Sequence, residues 1–249
     1  MNAAIIGATG LIGHYLLLNL LANTQYKTVV AVGRRAPELA AETAGIEKLI
    51  FVETQLQQLT ELNLPVSIDH AFCCLGTTIK QAGSQENFIK VDHTAVIDFA
   101  KLAIEYQSQT GVKLFAVTAL DANEKSTVFY NRVKGQVQKD LSLLPLSKLY
   151  IFQPSLLLGE RVSQRTLEDI GQKLFSLLSG VFVGPLAKYK PITGKLVADN
   201  MLTVAVHDKE LVTDADLDND SKLDNVMVRI IDNVMVRIID NKQMHRLVN

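Results

Sequence analysis

Tyr130 and Lys134 have the spacing of a pair that could exchange a proton with a substrate. They lie in the stretch FYNRVKG, residues 129–135, and residues four apart on a helix share one face. A phenol has a reference pKa of about 10 and is a poor acid–base catalyst at neutral pH. A neighbouring ammonium stabilises the phenolate and brings the pKa of a phenol toward the working range. None of the other tyrosines has a lysine four residues later.

A glycine-rich turn near the start of the chain has the spacing of a loop that holds a pyrophosphate. In GATGLIG, every third residue is glycine, at Gly7, Gly10 and Gly13. Glycines in such a turn let the backbone approach a pyrophosphate closely, and the helix start offers free N–H groups and a partial positive charge. Glycine is common in turns, so the glycine spacing by itself is weak evidence. The position of the motif at a strand-to-helix junction is what predicts dinucleotide binding.

Two arginines follow the second predicted strand, in VGRR. An acidic residue at this place would accept hydrogen bonds from the ribose hydroxyls of NAD. Arg34 and Arg35 instead offer bidentate donors to a 2′-phosphate, which predicts NADP(H) as the cofactor. The alternative is that both arginines are simply solvated, since charged residues are common on protein surfaces.

The elements that must position these residues alternate between short β-branched runs and longer helix-compatible segments. This alternation is typical of βαβ units and predicts an α/β fold with a parallel sheet. The predicted strands are 3–6, 28–32, 48–52, 70–74, 112–117 and 147–152.

Three predicted helices connect these strands, at 11–22, 87–107 and 126–143, and the last is expected to be capped by Ser126 or Thr127. Beyond residue 153 the pattern loosens, with helices expected near 166–179 and 195–207 and a small, less regular portion on the substrate side. We expect one domain over 1–249, with a cofactor-binding core at 1–153 and a substrate-side extension at 154–249.

The tail contains a perfect duplication, because DNVMVRII occupies both 224–231 and 232–239. We favour a local duplication in which one copy was inserted into an existing final strand, since termini tolerate insertions. The alternative is a hairpin joined by Asp232 and Asn233, although this turn lacks the glycine that favours tight hairpins. Either copy could also serve as an edge that binds a partner.

The composition excludes several classes of partner. The chain of 249 residues has a formal net charge of −1 and is 20% charged, so neither nucleic acid nor an anionic membrane surface is expected to bind it. The apolar stretch 11–22 is too short to span a bilayer and no secretory signal is recognised, so a cytoplasmic location is expected. Cys73 and Cys74 are adjacent and unsuited to a mutual disulfide, and the scattered histidines predict no metal site.

Four motifs in order, GATGLIG, VGRR, FCCLGTT at 72–78 and YNRVK at 130–134, resemble those of the short-chain dehydrogenase/reductases. More narrowly, CCLGTT followed by KQAG and FIKVD resembles the atypical branch that contains the Tat-interacting-protein-like oxidoreductases. The resemblance runs from Ala3 to about Gly159 and continues weakly near 195–205 and over DNKQMHRL at 240–247. It implies a Rossmann-type, doubly wound parallel sheet with NADP(H) across the carboxyl ends of the strands.

The resemblance also implies roles for individual positions. Tyr130 would be the acid/base, and Lys134 would anchor the cofactor and tune the phenol. The pyrophosphate would contact Gly7, Thr9, Gly10, Leu11, Ile12 and Gly13, and the 2′-phosphate would contact Arg34 and Arg35. The adenosine and ribose would contact Leu75, Gly76 and Thr77, and the nicotinamide would contact Pro154, Ser155 and Leu156.

The chain departs from the family after the fifth predicted strand, where the family places a serine that binds the substrate oxygen. Here the sequence is Val117-Thr118-Ala119, so Thr118 is the provisional oxyanion partner and Ala119 can supply no hydroxyl. Ser126 and Thr127, which precede Tyr130, carry alternative hydroxyls but are more simply explained as helix caps. Arg161 could reach cofactor phosphate or substrate, or be solvated.

These observations support two hypotheses from different classes. The first is an NADPH-dependent oxidoreductase that transfers a hydride to a small carbonyl or quinone-like substrate. The second is a non-catalytic, NADPH-binding regulatory or scaffold protein, which the missing serine permits. A nucleotide-sugar epimerase-like enzyme is disfavoured, because the part beyond residue 153 is short and the arginines favour NADP. The partner could be a second copy of the chain or another protein, and the resemblance implies that a homodimer would use helices 87–107 and 126–143.

Overall fold

The computed structural model describes residues 1–158, 188–207, 227–231 and 234–247. In these residues, each of the six predicted strands is confirmed to within one residue at either end. The strands are β1 (Asn2–Ile6), β2 (Thr28–Gly33), β3 (Leu49–Glu53), β4 (His70–Cys73), β5 (Lys113–Val117), β6 (Lys148–Gln153), β7 (Leu157–Leu158), β8 (Ile192–Thr193), β9 (Met227–Ile231) and β10 (Val234–Asp240).

The main sheet has the order β3-β2-β1-β4-β5-β6-β10-β9. Its first seven strands are parallel, and β9 joins the edge antiparallel to β10. The chain builds outward from β1 to β3 and then returns to β4 on the other side of β1. This reversal opens a crevice at the carboxyl ends of β1 and β4, which is where open sheets of this type bind ligands. The predicted Rossmann-type fold is confirmed.

Helices cover both faces of the sheet, so its central strands are apolar on both sides. On one face, α1 and α6 pack against each other over a core that contains Leu16 and Met201. On the other face, α4 and α5 cover a core that contains Phe99 and Val137. The α-helices in the described parts of the chain are α1 (Leu11–Ala22), α2 (Ile79–Ala82), α3 (Gln85–Ile89), α4 (Ala95–Glu105), α5 (Phe129–Ser142), α6 (Gly194–Val206) and α7 (Asn241–Leu247).

The predicted helix 87–107 is interrupted by one π-helical turn, Lys90–Thr94, between α3 and α4. Such insertions are rare and often occur at functional sites. In this turn Asp92 is buried, with 1% of its surface exposed. A buried carboxylate needs partners, so this turn must face polar groups.

Helix α5 begins later than predicted, and the expected caps are wrong. Its N-cap is Val128, whose side chain makes no capping bond. Ser126 lies outside the helix, where its Oγ accepts a hydrogen bond from the Val128 N–H at 3.2 Å. The preceding loop packs directly on α5, since a Cβ added at Gly135 would lie 2.1 Å from the Glu124 nitrogen.

The duplicated tail forms the hairpin, with Ile231 opposite Val234 in the β9–β10 pair. The second copy supplies β10, which runs parallel to β6 and extends the main sheet. The predicted helix near 195–207 is confirmed as α6, whereas the one near 166–179 and Arg161 lie outside the described residues. Of the helices that the structure describes, none combines the length and the apolar character needed to cross a membrane.

Candidate functional site

The glycine turn after β1 is built so closely that side chains cannot replace its two outer glycines, Gly7 and Gly13. Gly7 has a positive φ of 83°, and a Cβ there would lie 2.6 Å from the carbonyl oxygen of Cys74. A Cβ at Gly13 would lie 2.1 Å from the carbonyl oxygen of Gly7. The turn therefore holds the start of α1 against the ends of β1 and β4.

The start of α1 fits an anionic group. Gly10 is its N-cap and makes no side-chain capping bond, and the first turn contains no acidic residue. Among the described residues, no side chain therefore competes with an anion for the N–H groups of Leu11, Ile12 and Gly13, and the helix dipole adds a partial positive charge. This cradle suits the pyrophosphate of a dinucleotide, with Thr9 in the same turn.

Arg34 and Arg35 lie beside this cradle. The parallel register pairs Ile6 with Val32, so the residues that follow β1 and β2 emerge at the same edge of the sheet. Both arginine side chains are exposed. The structure thus brings the two predicted 2′-phosphate donors to the glycine turn, and their role stays a prediction.

The loop after β4 is fixed to the π-helical turn. The Thr77 N–H donates to Oδ2 of Asp92 at 2.9 Å, and a Cβ at Gly76 would lie 3.8 Å from Oδ1 of the same carboxylate. Leu75 lies partly buried in the same loop. Asp92 was not predicted as a site residue, although it ends the motif FIKVD.

The second oxygen of Asp92 holds Lys134. The Lys134 Nζ and the Asp92 Oδ1 are 2.7 Å apart, and the two side chains are only 4% and 0% exposed. Burial alone lowers the pKa of the Lys134 ammonium, but the charge of Asp92, with contributions from Tyr130 and Cys73, raises that pKa above its ordinary value. Lys134 is therefore a buried ammonium at neutral pH.

Tyr130 lies in the first turn of α5 and is partly buried. The Tyr130 ring packs against the Phe88 ring, with 5.7 Å between the ring centroids. The Phe129 ring also packs against Phe88, with a centroid distance of 5.6 Å. The helical spacing puts Tyr130 and Lys134 on one face of α5. An aromatic wall and a buried ammonium thus flank the Tyr130 phenol.

The Thr118 hydroxyl is engaged within the protein. It donates to the Phe152 carbonyl at 3.3 Å and accepts from Nε2 of Gln138 at 2.8 Å. Gln138 is held in turn by Gln153, whose Nε2 donates to Oε1 of Gln138 at 3.2 Å. A substrate oxygen would have to displace the Phe152 carbonyl to receive this hydroxyl proton, and the buried Ala119 offers none.

The loop after β6 is held by a residue from the end of the chain. Asn241 is fully buried, and its Oδ1 accepts from the Ser155 N–H at 3.1 Å. Its Nδ2 donates to the carbonyls of Lys188 at 3.1 Å and Lys190 at 2.7 Å. Pro154 is fixed through its carbonyl, which accepts from the Leu120 N–H at 2.9 Å.

Leu156, the third residue of this loop, is 69% exposed. No sequence pattern marks Asn241 as a site residue beyond its place in the tail motif DNKQMHRL. In the described part of the chain, no three His, Cys, Asp or Glu residues converge to hold a metal ion.

Comparison with curated proteins finds fungal relatives that share most of this chain, whereas no protein-family model matches it. Protein FMP52, mitochondrial, of Debaryomyces hansenii is 35% identical over 211 residues, which are 83% of this chain and 87% of the relative. The protein of that name from Eremothecium gossypii is 34% identical over 186 residues, 75% of this chain and 76% of the relative. The one from Emericella nidulans is 30% identical over 174 residues, 69% and 73% of the two chains.

Solved structures share the fold at low sequence identity. A short-chain dehydrogenase family protein from Francisella tularensis has a TM-score of 0.57 at 13% identity and covers 98% of both chains. A short-chain type dehydrogenase/reductase from Mycobacterium ulcerans has a TM-score of 0.61 at 15% identity, over 98% of this chain and 90% of that chain. The Bordetella bronchiseptica enzyme WbmH, solved in complex with NAD+, has a TM-score of 0.57 at 15% identity, over 81% and 71%.

The relatives correct one expectation and leave another untested. Their names place them in mitochondria, which contradicts the cytoplasmic location expected from the sequence. That expectation considered only a secretory signal and a membrane span, and neither test addresses mitochondrial import. None of these relatives carries a Tat-interacting name, so that finer assignment stays a prediction.

Replacing Asn241 by Ala should reduce the free energy of unfolding by about 3 kcal/mol, because each buried group left unpaired costs about 1–3 kcal/mol. Denaturant unfolding measures the change. Arg246→Ala, an exposed position on the same helix, is the matched control. Equal stability of the two variants would show that Asn241 does not hold the loop after β6.

Proposed function

This chain belongs to the family of the fungal FMP52 proteins, and we propose that it is an NADPH-dependent oxidoreductase acting on a small carbonyl or quinone-like substrate. The observation that carries the proposal is the pairing of Tyr130 with a buried, carboxylate-held Lys134 at the sheet edge that bears the uncapped glycine turn. When bound there, the nicotinamide supplies the hydride. Its proposed neighbours are Pro154, Ser155 and Leu156.

In this proposal Tyr130 moves the proton on the substrate oxygen. Its place in the first turn of α5 sets the phenol at the positive end of the helix dipole and one turn from the Lys134 ammonium. The Phe88 ring packs against one side of the Tyr130 ring and helps to fix its orientation.

The choice of NADP(H) is supported by Arg34 and Arg35, which are exposed at the end of β2 beside the glycine turn. No acidic residue stands at this position to bind ribose hydroxyls. Two guanidinium groups match the charge and the geometry of a 2′-phosphate.

A second candidate is a non-catalytic protein that binds NADPH and regulates or scaffolds a partner. The engaged hydroxyl of Thr118 and the absence of a hydroxyl at Ala119 favour it, because the substrate oxygen then lacks a ready hydrogen-bond donor beside Tyr130. In this candidate the cofactor orders a partner-binding surface. The partner would be a second copy or another protein on α4 and α5, in line with the Tat-interacting resemblance.

We further infer that the protein works in mitochondria. The support is the printed names of the relatives, which are at least 30% identical and span most of this chain.

Tyr130→Phe should lower the turnover of NADPH with a reactive aldehyde, ketone or quinone by about 100-fold or more, the usual contribution of general acid–base catalysis. NADPH affinity should change by less than about threefold, about 0.7 kcal/mol. Steady-state oxidation and fluorescence titration measure both quantities, with Tyr106→Phe as the control. Tight NADPH binding without turnover in the unmodified protein would favour the scaffold candidate.

Arg34→Ala combined with Arg35→Ala should weaken NADPH binding at least about tenfold, since a hydrogen bond to a charged group contributes about 1.5–3 kcal/mol. NADH lacks the 2′-phosphate, so its affinity should not change and serves as the internal control. Calorimetric titration with both nucleotides measures the ratio. Equal losses for NADPH and NADH would contradict the assignment of these arginines.

The full chain with a fluorescent protein fused to its C-terminus should co-localise with a mitochondrial marker in yeast cells. The fluorescent protein alone is the control. A diffuse signal for the fusion, matching that of the control, would refute the mitochondrial inference.

A further inference from the structure

The Asp92 carboxylate joins two parts of the site that belong to different elements. Oδ1 pairs with the Lys134 ammonium on α5 at 2.7 Å, and Oδ2 accepts from the backbone N–H of Thr77 at 2.9 Å, in the loop after β4. The carboxylate lies in the π-helical turn and is fully enclosed.

We propose that Asp92 is a positioning residue that fixes the Lys134 ammonium to the loop after β4, so that the cofactor loop and the catalytic helix move as one unit. The proposal rests on the proposed function, in which the loop contacts the cofactor and Lys134 supports Tyr130. Asp92 acts through Lys134 and Thr77 and touches neither substrate nor reacting atoms.

The π-helical turn forms two side-chain contacts with α5. Consecutive residues of the turn, Asp92 and His93, face Lys134 and Asp140, and the His93 Nε2 lies 2.7 Å from the Asp140 Oδ2. The two pairs differ in burial, since the side chains of His93 and Asp140 are 23% and 43% exposed. Solvent screens the outer pair, so the inner pair governs the position of α5.

A buried ion pair can also be merely structural, and the two roles make different predictions. Removal of a purely structural pair changes only the stability of the protein. A positioning pair also changes cofactor affinity, and its two members lose their effect together because they act as one unit.

The test is a double-mutant cycle on NADPH affinity with Asp92→Asn, Lys134→Met and the double variant, measured by NADPH fluorescence. Asp92→Asn keeps an acceptor for the Thr77 N–H and removes only the charge. Each single variant should weaken NADPH binding at least about tenfold, and the double variant should be no weaker than the poorer single variant. Asp140→Asn removes the outer pair and is the matched control, expected within about twofold of the unmodified protein.

The pH dependence supplies a second readout. Asp92, Tyr130 and Cys73 are the titratable groups that act on Lys134, and burial keeps the Cys73 thiol protonated by raising its pKa to about 11. Without the Asp92 charge, burial lowers the pKa of the Lys134 ammonium, so the ammonium loses its proton at a lower pH. As the pH rises, the NADPH affinity of Asp92→Asn should therefore fall at a lower pH than the affinity of the unmodified protein. The Tyr130→Phe background should give the same difference.

An Asp92→Asn variant that binds NADPH within about twofold of the unmodified protein would overturn the proposal. It would also be overturned if the double variant lost NADPH affinity by the product of the two single-variant losses. If Asp92→Asn does not fold, the double variant, which buries no unpaired charge, is compared with Lys134→Met, and weaker NADPH binding by the double variant overturns the proposal. An unmodified protein that binds no NADPH would instead refute the proposed function, and this inference with it.

Discussion

The turn that ends β1 has no room for a methyl group at either of its outer glycines. Close contact between Gly7, Gly13 and the Cys74 carbonyl forces α1 to start directly above the crevice between β1 and β4. The helix start is consequently turned toward the carboxyl edge of the sheet, and its N–H groups stay uncapped. Every other part of the candidate site is arranged around this anion cradle, because parallel strands deliver their following loops to the same edge.

A buried charge pair organises the opposite side of the crevice. Neither Asp92 nor Lys134 could be buried alone without a large desolvation penalty, so each requires the other. Their contact ties α5, and with it Tyr130, to the loop after β4. The need to pair buried polar groups also applies to Thr118, whose buried hydroxyl is hydrogen-bonded to Phe152 and Gln138. The site is thus rich in positioning contacts and poor in free hydroxyls.

Local patterns predicted the strands, the glycine turn and the tyrosine–lysine helix, because β-branched runs and glycine spacing act over a few residues. They failed where partners are distant. Asn241 holds Ser155 from 86 residues away, and no short-range pattern marks such a contact. The helix start at Phe129 was mispredicted because Ser126 and Thr127 resemble caps, whereas the extended backbone of Val128 and the tight packing at Gly135 accompany the actual boundary. Asp92 was missed since a lone aspartate in a helix usually faces solvent.

The central claim is that one nucleotide spans the glycine turn and the face of α5 that carries Tyr130 and Lys134. A crystal structure of the protein with NADPH tests it most directly. The account predicts pyrophosphate density at the N–H groups of Leu11, Ile12 and Gly13, and the nicotinamide between Tyr130 and the loop at Pro154. Density for NADPH at any other surface, with the glycine turn left bare, would contradict the account.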